Sequence, residues 1–105
     1  MPAYVVATML IHDPETYRRY TALTPALVER HGGRFLTRGD DVHTAEGEPF
    51  IERMVILEFP SAAAVQAWLV DPDYVAAAKF RHAASTSRII IQEAGGNTSN
   101  PDPKV

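Results

Sequence analysis

Cysteine is absent from this sequence of 105 residues. That excludes disulfides and thiolate metal sites and makes a reducing cytoplasm the expected compartment. An excess of basic residues is absent too: ten Lys and Arg stand against thirteen Asp and Glu, a formal charge of −3. Nucleic acid as a partner asks for a basic stripe, so none is expected. No apolar run approaches the roughly 20 residues of a membrane span, and Met1-Pro2-Ala3-Tyr4 carries no basic n-region ahead of an apolar segment. The expectation is a soluble protein without a membrane partner. Phosphate-cradling glycine loops, nucleophile elbows and paired-carboxylate signals are missing as well. His12, His31, His43 and His82 show no His-x-x-x-His spacing, so neither a metal nor a cofactor is expected.

What remains is ordinary globular material, 46% hydrophobic and 22% charged, enough for one domain with a core. Residues 4–11 are apolar in both alternating sets, which predicts a strand covered on both faces. Asp13-Pro14 then supplies a helix cap and a first helical residue. The helix carries Tyr17, Tyr20, Leu27 and Val28 along one side. Pro25 predicts a kink or brief break near Thr21–Thr24. His31-Gly32-Gly33 reads as a helix stop, with a catalytic histidine as the alternative; Gly32 suits the left-handed position past a helix end. A second strand follows over 34–38, resuming near Val42-His43, and a third over 53–59. Ser61 and Asp71-Pro72 are two further helix starts, predicting pieces at 61–70 and 72–84. Residues 87–93 make the fourth strand. From Gly95 the composition turns polar, and 95–105 is read as a flexible tail to a domain of residues 1–94.

The order β-α-β-β-α-β is that of a ferredoxin-like α+β sandwich with an antiparallel four-stranded sheet. Its helices cover one face only. In the third strand Arg53, Val55, Leu57 and Phe59 form the better inner face. The outer face then gathers Arg34, Leu36, Arg38, Met54, Ile56, Glu58, Ile90 and Gln92. A surface that mixed and that apolar fits an interface between copies of the chain, so the chain itself is the expected partner, as a homodimer or larger. A hairpin register summing to 92 sets Arg34 against Glu58 as an ion pair, with Arg38 as second choice. The alternative for Glu58 is an acid/base group with a raised pKa.

Tyr17, Tyr20, Trp68 and Tyr74 lie on helix faces. They read either as core residues with polar tips or as the lining of a pocket between helices and sheet. Arg81 with His82 reads either as an anion site at that pocket's mouth or as solvated charge at a helix end. Arg38 and Arg53 read either as part of such an anion site or as charges paired across the sheet face.

One set of residues resembles a known family. The set comprises Tyr4, Ala7, Asp13, Tyr17 and Tyr20, the block His31-Gly32-Gly33-Arg34-Phe35-Leu36 with Arg38-Gly39, Glu46-Gly47, Arg53, Glu58-Phe59-Pro60-Ser61, Ala67-Trp68, Pro72, Tyr74, Arg81 and Glu93. It resembles the domain of unknown function 1330 (DUF1330), over residues 4–95. Leu69 and Asp71 depart from the pattern. The resemblance implies a dimeric α+β barrel, two ferredoxin-like sheets packed face to face, and brings no shared reaction. Barrels of that group include cofactor-free monooxygenases, lactone isomerases and haem enzymes, and none of their catalytic residues maps onto a position here by motif. The functional expectation is therefore a small-molecule enzyme or binder for a modest, partly aromatic or acidic metabolite. The rival is a non-catalytic regulatory or interaction module whose main chemistry is self-association.

Overall fold

The computed structural model describes residues 1–94, and the tail read from the sequence at 95–105 lies outside the described residues. Seven elements follow in order: β1 (Ala3–Ile11), α1 (Pro14–Arg30), β2 (Arg34–Gly39), β3 (Arg53–Phe59), α2 (Ala62–Val70), α3 (Pro72–Ala84) and β4 (Ser85–Glu93). The strands form one antiparallel sheet in the order β2-β3-β1-β4. This is the ferredoxin-like arrangement, with the second helical region divided in two by the Asp71-Pro72 signal.

The divisions follow from local chemistry. Asp13 caps α1 by accepting from the Thr16 amide, and Ser61 caps α2 by accepting from the Ala64 amide. Asp71 ends α2 and accepts from the Asp73 amide at the start of α3. Two expectations are corrected. Of the two outcomes expected at Pro25 the brief break does not occur, and α1 runs unbroken through it; packing of Tyr17, Tyr20, Leu27 and Val28 beneath it outweighs the one backbone bond a proline forfeits. No strand resumes near Val42-His43, because residues 40–52 carry no strand pairing.

One core joins the inner face of the sheet to the helices: Val5, Ala7 and Met9 of β1, Val55, Leu57 and Phe59 of β3, and Val28, Val65, Trp68 and Ala78 above them. The outer face carries no helix, and Leu10, Leu36 and Ile90 stand 47%, 44% and 48% exposed on it. Among the described residues no helix is long and apolar enough to cross a membrane.

The register of β2 departs from simple alternation. Arg34 pairs with Glu58 and Phe35 with Leu57, but Thr37, not Leu36, faces Ile56, and Arg38 faces Val55. A β-bulge at Leu36 takes up one residue, and everything after it changes face.

Candidate functional site

The bulge decides which charges face which side. Arg34 stays on the outer face, where its guanidinium meets Glu58 at 2.8 Å. Tyr4, paired with Glu58 across β1 and β3, adds its phenol. The Arg34 hydrogen bond holds Glu58 below the usual carboxylate range. That is the reverse of the raised pKa an acid/base role requires. Arg38, expected beside them, is instead on the inner face, opposite a core valine. Its guanidinium lies 4.5 Å above the Phe35 ring. Simple period-two reading puts it on the wrong side because it has no means of counting the extra residue.

On the inner face a cleft opens between α1 and the sheet. Its floor is Ala7, flanked in the sheet by Val55 and Ile89. A methyl side chain there leaves space under the helix that a larger one would fill. The inner chamber is about 30 Å³ and is walled by Met9, Tyr20, Phe35 and Trp68. Tyr17, Thr21, Arg38 and Arg53 line both this chamber and an outer bowl of about 560 Å³, which adds Ile11, Pro14, Arg18 and Asp40. The result is a small, mostly apolar chamber beneath a wide mouth carrying three arginines and one aspartate.

The sequence-predicted residues divide accordingly. Tyr17, Tyr20 and Trp68 line the chamber. Tyr74 stands behind it, buried, its hydroxyl 2.8 Å from that of Tyr20 and its ring 4.4 Å from Trp68. Arg81 is also behind the wall. It is buried, its guanidinium 5.6 Å from the Tyr20 ring, donating to Ser87 Oγ. The cationic groups at the mouth are Arg18, Arg38 and Arg53, and the bulge that delivers Arg38 leaves no mark on hydrophobic periodicity.

Three polar atoms of this region have no partner among the described residues: Trp68 Nε1, Arg53 Nε and Arg81 Nε. Buried donors are normally satisfied, and two of these belong to residues lining the chamber. Burial raises the Tyr17 phenol above its ordinary pKa, against the nearby Arg53 and Arg81 guanidinium groups. Burial raises Tyr20 further, with Tyr74 adding to it. Both are neutral hydroxyls at physiological pH, able to donate.

His31 takes no part in the cleft. Its Nε2 lies 2.8 Å from Asp71 Oδ2, which also meets Arg30 at 2.9 Å. The helix-stop reading describes its place, with the Asp71 contact added. Among the described residues, no group of three His, Asp or Glu side chains converges as a metal site would need.

Comparison with known proteins adds the family. The profile of the Domain of unknown function (DUF1330) matches residues 2–94. The chain belongs to the DUF1330 family. No curated protein matches it by sequence. Among solved structures, a protein of unknown function from Rhodopseudomonas palustris is 25% identical, with a TM-score of 0.76 over 90% of this chain and 82% of that one. SnoaB, a cofactor-independent oxygenase from Streptomyces nogalater, is 20% identical, with a TM-score of 0.65 over 96% and 98%. A dimeric ferredoxin-like protein of unknown function from Jannaschia sp. CCS1 is 15% identical, with a TM-score of 0.63 over 90% and 100%. At such identities the last two show the shared fold. In this DUF1330 chain, residues quoted for the family resemblance sit at both ends of the cleft: Ala7 at its floor, Tyr17, Arg38 and Arg53 at its mouth.

Proposed function

We propose that this protein is a small-molecule enzyme or binder that holds its ligand in the cleft between α1 and the sheet and works as a self-associated pair. The observation that carries the reading is the cleft's construction. An apolar chamber, with an indole N–H that has no partner among the described residues, opens through Tyr17 and Thr21 to a charged mouth. Such a mixture of apolar wall and a few convergent polar groups is what ligand sites share. The likeness of fold to SnoaB favours cofactor-free oxygenation as the reaction class, by analogy. That chemistry asks a protein to position its substrate, move a proton and exclude water. Tyr17, a neutral phenol beside Arg53, fits the proton-handling part. Self-association is supported by the apolar outer face and by the dimeric Jannaschia relative of the same fold.

The test is a thermal-shift screen with hydroxyaromatic and small acidic fragments at millimolar concentration. Saturable stabilisation is expected. It should vanish in Thr21→Trp, which blocks the neck joining chamber and bowl. No response in the unaltered protein, or an unchanged one in the blocked variant, overturns the cleft as the site.

The exposed Leu10, Leu36 and Ile90 favour a second reading, an interaction module whose chemistry is association alone. A clean dimer with no fragment response selects it.

A further inference from the structure

The charge at the mouth of the cleft specifies a class of ligand. Arg38 is delivered to the inner face by a bulge, a device that re-aims side chains beside functional sites. Once there it has no ion-pair partner among the described residues and rests only on the Phe35 ring. Arg53, opposite Met9 on the same face, is three-quarters buried, and its Nε has no partner. Among the described residues its single carboxylate contact is Asp40, at 3.4 Å, with Asp40 itself 85% exposed. A contact that long and that wet contributes little. Arg34, by contrast, is paired with Glu58 at 2.8 Å on the other side of the sheet. The chain therefore places two planar five-donor groups, with the exposed Arg18 lining the same bowl, around one opening and leaves their donors largely unspent.

A guanidinium is always charged and matches a carboxylate fork to fork. We infer that the cleft binds a small carboxylic acid with a flat apolar body, its carboxylate between Arg38 and Arg53 in the outer bowl. The bowl's Ile11, Pro14 and Tyr17 provide the apolar surface for the body. The chamber behind the neck, at about 30 Å³, admits no more than a methyl-sized group or a water. Asp40 then acts as an internal stand-in for the ligand's carboxylate, displaced when the acid binds. This inference rests on the cleft being the ligand site and adds the charge and shape of what enters it.

The experiment measures calorimetric affinity and thermal shift for benzoate, trans-cinnamate and hexanoate, each against its neutral amide at one ionic strength. The acids should bind and the amides should bind at least about tenfold more weakly, as for a ligand that loses charge-assisted bonds. Arg38→Met should cost a similar factor, Arg38→Lys somewhat less, and Arg34→Met, on the opposite face, nothing. Asp40→Asn should tighten acid binding, since it removes the competing carboxylate. Arg53→Met is a further arm; should it unfold, the exposed Arg38 variants and Asp40→Asn still decide. Equal binding of acids and amides leaves the cleft standing and overturns the carboxylate inference. Equal losses in Arg34→Met and Arg38→Met also overturn it, as nonspecific attraction. No binding by any of the six probes removes both readings.

Discussion

Asp71 shows how much one side chain in this chain is asked to hold. It closes α2, caps α3 through the Asp73 amide, and binds His31 and Arg30 from the end of α1. Those bonds, His31 first, pull its pKa down to about 2. A carboxylate whose folded pKa is depressed contributes stability above its unfolded pKa, about 3.9, and loses it as pH falls through the folded value. The unaltered protein should therefore lose stability steeply between about pH 4 and pH 2. Asp71→Asn should be less stable at neutral pH and flatter across that window, measured by urea unfolding at several pH values. A parallel acid limb in the variant would show that other carboxylates carry the effect. Two aromatic residues give a second contrast. Trp68→Ala empties a site packed by Phe59 and Tyr74 and should cost about 3–5 kcal/mol. Tyr74→Phe keeps the packing but leaves the buried Tyr20 hydroxyl alone, costing about 1–3 kcal/mol. Both are read by chemical denaturation.

At the scale of elements, the junction after α1 separates what a sequence displays from what it conceals. Gly32 adopts φ +78°, the left-handed position expected from its place after a helix. The need for Gly33 is tertiary: an added Cβ would lie 2.6 Å from the Phe59 ring and 2.8 Å from Val28. Gly33→Ala should accordingly destabilise by about 1–3 kcal/mol through overpacking, in thermal or denaturant melts. An unchanged stability would mean Phe59 has room to swing aside. The same division runs through the whole reading. Caps, proline signals and strand periodicity made the element order and the Arg34–Glu58 pairing legible, because both depend on near neighbours or simple counting. Tyr17, Tyr20 and Trp68 were legible as one-sided aromatic residues. Arg38's placement was not, since a bulge is set by cross-strand fit rather than by any residue type at Leu36. Nor was the exclusion of Tyr74 and Arg81 from the lining, which depends on how deep each helix sits.

For the molecule as a whole, the uncovered face of the sheet governs the outcome. Leu10, Leu36 and Ile90 are about half exposed there, on the same face as the Arg34–Glu58 pair. Sedimentation should find at least a dimer at micromolar concentration. Ile90→Arg places a charge in that patch without touching the core, so it should weaken association at least about tenfold while the melting curve of the isolated chain is kept. A monomeric unaltered protein would remove the paired-sheet arrangement.

The position of Trp68 has an optical consequence. It is the chain's single tryptophan, 2% exposed, tilted against the Tyr74 ring at 4.4 Å, and part of the chamber wall. All indole emission thus comes from one buried place whose N–H has no partner among the described residues. The spectrum of the folded protein should lie toward the blue, and iodide should quench it only after unfolding. A molecule or water reaching that N–H would redden the emission while the fold stays intact. The protein carries its own lamp at the back of its cleft, and no label needs to be attached to watch what enters.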